Sequence, residues 1–223
     1  MTYLSAANDS LNPSHKSLTP KALVAGAITG SLLLGGCQQA PTYDYIQGET
    51  MGTSYHITFQ KPKEVDEEAI NQAIDKRLQE INVSMSTYME DSTISKFNRL
   101  KAGEPMQVDP DFIQVLQDSK QVYDQSGGAF NPTVMPLINL WGFGSVMTAE
   151  RLQNPPSAEQ IMAAKSLLGF EDIKVSGNTL TKDKDNVELD FSAVAKGYGV
   201  DVIAEVLRKD YKINNYMVEI GGE

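Results

Sequence analysis

The chain has 223 residues, a length that allows one large domain or two small ones with a substantial buried core. Its 41% hydrophobic and 22% charged residues exclude an intrinsically disordered chain, and a single cysteine excludes a disulfide-stapled scaffold. The sequence contains no run of about 18 or more apolar residues, which excludes a multi-pass membrane protein. Lys and Arg number 19 against 29 Asp and Glu, and because the formal net charge of −10 would repel a phosphate backbone, we expect no nucleic-acid partner.

The amino terminus has the pattern of a bacterial lipoprotein signal. Residues 22–36 form an uncharged, largely apolar run that follows Lys16 and Lys21, which is typical of a signal-peptide h-region and short for a bilayer span. The run ends in Leu-Gly-Gly-Cys, which resembles the lipobox, and Cys37 is the only cysteine. We therefore predict a signal peptide over 1–36 and lipid attachment at Cys37. An apolar amino-terminal helix that happens to contain a cysteine is the alternative.

The predicted anchor sets the expected location. A tether over 37–47 would hold the folded body at the periplasmic face of a bacterial membrane. The inner membrane is preferred, but Gln38 is not the Asp that usually signals retention there, so the choice between the two membranes stays open.

Farther along, hydrophobic periodicity and capping residues predict an alternation of strands and helices. Asp66 is placed to cap one helix, Asp109 with Pro110 to begin another that buries Val122, and Ser192 to cap a third. The predicted strands cover 55–59, 172–175, 179–181, 187–189 and 216–220, and the predicted helices cover 66–84, 109–126, 157–168 and 192–208. This order favours an α+β fold, with mixed sheets and packed helices, over regular βαβ winding.

Several familiar catalytic signatures are missing from the sequence. His15 and His56 are the only histidines, and His56 lies in a predicted strand with no motif around it, so a half-exposed strand residue is the simpler interpretation. With the single cysteine assigned to lipid, no Cys/His zinc spacing exists, and neither a P-loop nor a complete G-x-G-x-x-G motif is present. A nucleotide or a metal ion would have to be held in another way.

Five segments contain polar groups that a buried core would not favour, and four of them combine these groups with turn glycines. They are TMGT at 50–53, MSTY at 85–88 leading into DSTISKFN at 91–98, GGAFNPTV at 127–134 continuing to 144, LDFSAVAKGYGVD at 189–201, and VEIGGE at 218–223. In this order they resemble the FAD:protein FMN transferase family, also called the ApbE family, over essentially all of the chain from residue 48. The resemblance implies an ApbE-like fold with FAD in a cleft and a transferase domain over 48–223.

Two of these segments are suited to a flat ring system. Gly52, between Met51 and Thr53, lets the backbone approach a flat ligand, and the polarizable thioether of Met51 suits packing on an aromatic ring. Tyr88 follows a predicted helix end, where its ring could stack on a heterocycle while its hydroxyl stays hydrated. The alternatives are a plain turn before a strand for Met51 and ordinary packing for Tyr88.

The glycine pair at 127–128 precedes a third predicted contact, formed by Ala129, Phe130 and Asn131. A loop with two glycines can present backbone amides and carbonyls to the polar edge of a ligand, although a plain helix stop is the competing interpretation. The family usually has Asp at the position of Asn131. This chain keeps the hydrogen-bonding geometry there and loses a negative charge.

A fourth group surrounds the start of the last predicted helix. The Asp190 carboxylate could accept from a ribityl or ribose hydroxyl, and Lys196, less than two turns farther on, could reach a pyrophosphate as a point charge. A helix-start aspartate is the alternative role for Asp190. By resemblance, the backbone carbonyl of Ala193 is a ligand for Mg²⁺, an ion that prefers hard oxygen donors.

The resemblance implies a Mg²⁺-dependent transferase that cleaves FAD, attaches FMN through a phosphoester to a Thr or Ser hydroxyl of a target protein, and releases AMP. The family's acceptors are exported flavoprotein subunits of electron-transport complexes. An FAD pyrophosphatase that yields FMN and AMP, and a periplasmic flavin-binding lipoprotein without turnover, are the alternatives. The resemblance places the catalytic residues and the remaining metal ligands beyond Glu223, so we expect residues 38–223 alone to be inactive.

Overall fold

The computed structural model describes residues 40–61, 65–143 and 154–222. The predicted signal peptide over 1–36 and the predicted lipid attachment at Cys37 lie outside this part of the chain. In the described ranges, no helix has both the length and the apolar character needed to cross a membrane.

An antiparallel sheet of three strands brings the beginning of the described chain against its end. The sheet contains β1 (Tyr43–Thr50), β2 (Thr53–Gln60) and the last strand of the chain, β6 (Tyr216–Ile220), in the order β1-β2-β6. Alternation along β2 turns Tyr55, Ile57 and Phe59 into the core. β1 begins at Tyr43, inside the segment 37–47 that was predicted to be a tether.

Six α-helices lie between β2 and β6 in the described ranges. They are α1 (Glu67–Met85), α2 (Thr93–Arg99), α3 (Pro110–Gln125), α4 (Met135–Trp141), α5 (Ala158–Lys165) and α6 (Ala195–Glu205), which continues as a π-helical turn over Val206–Asp210. The predicted caps Asp66 and Asp109 are confirmed, and each side-chain oxygen accepts a hydrogen bond from a first-turn amide. Helices α2, capped by Ser92, and α4 were not predicted.

A second small antiparallel sheet has the order β3-β5-β4. Its strands are β3 (Met106–Gln107), β4 (Ile173–Ser176), which follows a 3₁₀ turn over Phe170–Asp172, and β5 (Thr179–Lys182). Together with the first sheet and the packed helices, it confirms the predicted α+β fold.

The buried apolar side chains form two clusters that share helices. Ile70, Ile74 and Leu78 of α1 pack behind the first sheet, and Ile81 and Met85 of the same helix pack with α2, α3 and β5. Helix α6 also contributes to both clusters, through Val202 and Ile203. These two helices therefore link the two sheets into one packed unit.

Three local predictions were wrong. Residues 187–189 form no strand, because the amide and the carbonyl of Leu189 bond to the side chain of Asn98 rather than to a neighbouring strand. Ser192 does not cap α6, which begins after Val194, since the Ser192 amide donates to Asp190 Oδ1 at 2.7 Å in a separate turn. Val122 is 42% exposed rather than buried, because it lies on the outward side of the last turns of α3.

Candidate functional site

A cleft of about 380 Å³ opens between the β1–β2 turn, the end of α1 and the start of α6. Its volume lies within the range of roughly 300–1,000 Å³ that is usual for small-molecule sites. The lining residues are Met51, Gly52, Ile81, Asn82, Met85, Ser86, Thr87, Tyr88, Met89, Ser192, Ala195 and Lys196. The fold thus brings together three of the predicted ligand residues, Met51, Tyr88 and Lys196, from three distant parts of the chain.

Met51 enters the cleft from an unusual backbone conformation. Met51 and Gly52 form the two-residue turn between β1 and β2 and have φ values of 50° and 73°. Such a turn favours Asn-Gly, so a methionine in its first position carries backbone strain of about 1–3 kcal/mol. The thioether packs beside α6, where a Cβ on Gly199 would lie 3.1 Å from Met51 Cε. A glycine at 199 therefore makes room for this side chain.

The end of α1 holds both the Met51 turn and the predicted aromatic residue. Asn82 Nδ2 donates to Thr50 Oγ1 at 2.9 Å and to the Leu78 carbonyl at 3.2 Å, which ties the residue before Met51 to the helix. Tyr88 follows the helix end and is 75% exposed, so its ring is available to a ligand in the cleft. Sequence reasoning missed Asn82, although a polar residue four positions after the buried Leu78 was a signal for it.

Lys196 supplies a cation on the first turn of α6. Its stem passes close to Gly221, where a Cβ would lie 3.2 Å from Lys196 Cδ and 2.8 Å from Thr53 Cγ2. Gly221 also has a φ of 62°, so both conformation and space require glycine there. The segment after β6 is thereby placed directly beside the lysine. A cation at this position suits an anionic group of a ligand.

Asp190 is buried behind the cleft rather than lining it. Its side chain is 8% exposed, its Oδ1 accepts from the Ser192 amide at 2.7 Å, and its own amide donates to the Pro132 carbonyl at 2.8 Å. The last bond joins the Asp190 segment to the loop after Gly127–Gly128. Ala193 is exposed in the turn between Asp190 and α6, beside lining residues of the cleft.

The loop over 129–131 does not line the cleft either. Ala129 is exposed, and the Phe130 amide donates to Ser126 Oγ at 3.0 Å. Asn131 Oδ1 accepts from the amide and the hydroxyl of Thr133 at 2.9 and 2.7 Å. An aspartate oxygen could accept the same two bonds, so this contact is compatible with either residue. The roles predicted for Ala129, Phe130 and Asn131 stay predictions.

Helix α6 is held at this place by a half-buried polar group. Tyr198 Oη donates to Asp111 Oδ1 at 2.6 Å, and Arg77 Nη2 donates to the same oxygen at 2.7 Å. Burial and the bond to Asp111 raise the pKa of the Tyr198 hydroxyl, so it stays a donor across the physiological range. The bond to Arg77 lowers the pKa of Asp111, which remains a carboxylate. This group therefore ties the first turn of α6, which carries Lys196, to α1 and α3.

Metal-ligand side chains are sparse around the cleft. In the ranges 40–61, 65–143 and 154–222, no group of three or more His, Cys, Asp or Glu side chains is arranged to hold a metal ion. The carbonyl of Ala193 is one possible oxygen ligand, but it does not make a complete magnesium site by itself.

The chain belongs to the ApbE family, whose sequence profile matches residues 51–223. It is 39% identical over 198 residues to the FAD:protein FMN transferase of Vibrio cholerae serotype O1, an alignment that covers 88% of this chain and 58% of the relative. It is 35% identical over 212 residues to that of Haemophilus influenzae, covering 91% and 60% of the two chains. The chain therefore spans less than two thirds of the length of these relatives.

Solved structures support the same assignment. The flavin transferase ApbE from Vibrio cholerae superposes with a TM-score of 0.76 at 39% identity, covering 82% of this chain and 58% of that chain. The apo flavinyl transferase ApbE of Pseudomonas stutzeri gives a TM-score of 0.74 at 32% identity, covering 82% and 57%. The predicted family and fold are thus confirmed.

Proposed function

We propose that the full-length protein is an FAD:protein FMN transferase. The observation that carries this proposal is the cleft in which Met51, Tyr88 and Lys196 meet, in a chain of the ApbE family. A thioether and an exposed aromatic ring suit the two faces of an isoalloxazine, and an adjacent ammonium suits a phosphate. The cleft volume fits a flat ring system of this size better than a complete dinucleotide, so we expect the rest of FAD to extend along Ser192 and Ala193.

Each residue near the cleft has a proposed task in binding. Lys196 would neutralise pyrophosphate charge, and the Asp190 carboxylate, which already accepts from the Ser192 amide, has further lone pairs for a ribityl hydroxyl. The loop of Ala129, Phe130 and Asn131 would contact the polar edge of the ligand. Binding in this way would fix the pyrophosphate in line with an incoming hydroxyl.

The proposed reaction is an exchange at the phosphorus of the FMN half. The oxygen of a Thr or Ser side chain forms a bond to that phosphorus, the pyrophosphate P–O bond breaks, AMP leaves, and the hydroxyl proton passes to solvent or to a base. Mg²⁺, with the Ala193 carbonyl as one ligand and others from outside the described residues, would supply charge neutralisation of the pyrophosphate. The acceptors we propose are exported flavoprotein subunits.

The test is to incubate the full-length protein with FAD, Mg²⁺ and an acceptor protein, and to follow acceptor mass and AMP release together. We expect the acceptor to gain one phosphoester-linked FMN for each AMP. An acceptor with its target Thr replaced by Val is the control. AMP and FMN formed without an adduct would favour the pyrophosphatase, and FAD binding without AMP would favour a binding protein without turnover.

Replacing Asp190 and Lys196 tests their proposed roles in binding. Asp190→Ala or Lys196→Ala should remove charge-assisted hydrogen bonds worth about 1.5–3 kcal/mol, or about one to two decades in FAD affinity. Flavin fluorescence titration measures this loss. Lys209→Ala, which removes an exposed lysine paired with Glu205, is the matched control and should bind normally. Normal affinity in both site variants would remove these residues from the site.

We also propose lipid anchoring at Cys37, supported by the lipobox-like run before it. Cys37→Ser should leave an unprocessed precursor, or a form that does not partition with membranes at the periplasmic face. Membrane fractionation and the mass of the mature amino terminus measure this. Normal processing and partitioning of the Ser variant would contradict the proposal.

A further inference from the structure

Lys182 lies at a buried position that an apolar side chain would usually occupy. It ends β5, whose alternation turns Leu180 and Lys182 to the same side, and both are 0% exposed. Burying an ammonium costs free energy unless its donors are satisfied. The Lys182 ammonium therefore needs hydrogen-bond acceptors within the folded chain.

Three backbone carbonyls satisfy the ammonium of Lys182. Nζ donates to the carbonyls of Asn98, Asp185 and Val187 at 2.9, 3.0 and 2.9 Å. An ammonium has three N–H donors and no acceptor, so this arrangement matches the protonated form. Burial lowers the pKa of Lys182, while the charges of Glu188 and Asp185 act in the opposite direction. The Asn98 carbonyl lies in the last turn of α2, where a cation is favourable.

The side chain of Asn98 completes the attachment. Its Nδ2 donates to the Leu189 carbonyl at 2.9 Å, and its Oδ1 accepts from the Leu189 amide at 2.7 Å. One amide group thus makes the pair of bonds that a neighbouring strand would make. Residues 185–189 form no strand, and the side chains of Lys182 and Asn98 bond to four of their backbone groups. Exposed contacts add to these bonds at the start of the segment: Asp185 Oδ1 accepts from the Ala102 amide, and Asn186 Nδ2 donates to the Leu167 carbonyl.

This attachment ends at a predicted ligand residue. Leu189 is followed directly by Asp190, whose amide bonds to Pro132 and whose carboxylate accepts from the Ser192 amide. A shift of the 185–189 segment would move this carboxylate and the turn that leads to Lys196. The position of Asp190 therefore depends on how firmly the preceding residues are fixed.

We infer that Lys182 and Asn98 act as a clamp that positions Asp190 for the flavin ligand, an inference that rests on the proposed function. Both are positioning residues, since neither lines the cleft. If Lys182 and Asn98 had a purely structural role, replacing them would lower only the free energy of unfolding. The clamp predicts in addition a local loosening next to Asp190 and an effect on affinity that operates through Asp190.

Amide hydrogen exchange tests the clamp without any flavin. In ligand-free full-length protein, Lys182→Met and Asn98→Ala should each raise the exchange rates of the Leu189 and Asp190 amides at least tenfold relative to the amides of α1. Lys184→Met is the matched control, because the ammonium of Lys184 pairs at the surface with Asp172 at 2.8 Å. Unchanged local exchange in both clamp variants would overturn the inference.

A double-mutant cycle tests the link to the ligand. FAD affinity should fall about tenfold in Lys182→Met and in Asn98→Ala, and each loss should largely disappear when Asp190 is already alanine. Losses that add fully to that of Asp190→Ala would overturn positioning through this carboxylate. If one clamp variant does not fold, the other decides. An Asp190→Ala variant with normal affinity would instead contradict the binding role proposed above for Asp190, while exchange still decides whether the clamp exists.

Discussion

Single residues around the cleft are set by close contacts that leave little freedom. Met51 has a positive φ that glycine or asparagine would adopt more easily, and its thioether lies beside Gly199 of α6. Strain of this kind persists only when the surroundings hold it, and here the Asn82 bond to Thr50 and the packing on α6 provide that support. Replacing Gly199 would disturb this contact most directly.

We expect Gly199→Ala to weaken FAD binding by several-fold while changing the free energy of unfolding by less than about 1 kcal/mol. The new Cβ would lie 3.1 Å from Met51 Cε and from Ile220 Cδ1, so Met51 must move, while the helical propensity of alanine offsets the cost. Gly197→Ala is the control, because no atom lies within 4 Å of its Cβ, and it should raise stability by about 0.5 kcal/mol. Fluorescence titration and urea unfolding measure the two effects, and unchanged affinity in Gly199→Ala would contradict the account of Met51.

At the scale of elements, one carboxylate joins three helices. Asp111 in the first turn of α3 accepts from Arg77 of α1 and from Tyr198 of α6. Both ion-pair side chains are largely shielded, at 26% and 21% exposed, so this contact is worth more than a surface pair. This polar contact helps to fix α6, which carries Lys196, against α1 and α3.

We expect Asp111→Asn to lower the free energy of unfolding by about 1–2 kcal/mol at pH 7. The bond to Arg77 lowers the pKa of Asp111 in the folded state, so its contribution is complete above the unfolded value and is lost as the pH falls through the lower folded value. The stability difference between the natural protein and the variant should therefore shrink below about pH 4.

Urea unfolding at pH 7 and pH 3 measures this difference. Asp118→Asn is the matched control, since it removes the same charge from the same helix at an exposed site bonded to Gln114, and it should change stability by less than about 0.5 kcal/mol. A difference for Asp111→Asn that does not change with pH would contradict the role of its charge.

At the scale of the whole described body, two apolar clusters are bridged by α1 and α6. Ile74 lies in the cluster behind the first sheet and Ile81 in the cluster around α2, α3 and β5. Met51 packs against both clusters, so the cleft lies where they meet. Shared helices make it costly for one cluster to open while the other stays folded.

We expect Ile74→Ala and Ile81→Ala each to lower the free energy of unfolding by about 2–5 kcal/mol within one cooperative transition. Far-ultraviolet circular dichroism should show a single unfolding transition in both variants, and hydrogen exchange should give the slowest amides of β2 and of β5 the same opening free energy. Val83→Ala, at an exposed position of the same helix, is the control and should have little effect. Different opening free energies for the two sheets would contradict the shared core.

Short-range contacts explain which features could be predicted from the sequence alone. Asp66 and Asp109 bond to amides two or three residues away, so their helices could be located from local patterns. The alternation of β2 and β6 and the apolar stripe of α1 are likewise properties of neighbouring residues. The family motifs identified Met51, Tyr88 and Lys196, which meet in the cleft.

Contacts between distant residues explain what could not be predicted. The amide and carbonyl of Leu189 bond to Asn98, 91 residues earlier, so an apolar stretch that has the pattern of a strand forms none. Lysine is usually a surface residue, and the hydrogen bonds to three backbone carbonyls offset the free-energy cost of burying the charge of Lys182. Local sequence thus determined where α1, α3 and α5 begin and located strands β2, β4, β5 and β6. The satisfaction of buried polar groups by remote partners determined how the segments beside the cleft are held, because a short segment does not encode which distant donor or acceptor will reach it.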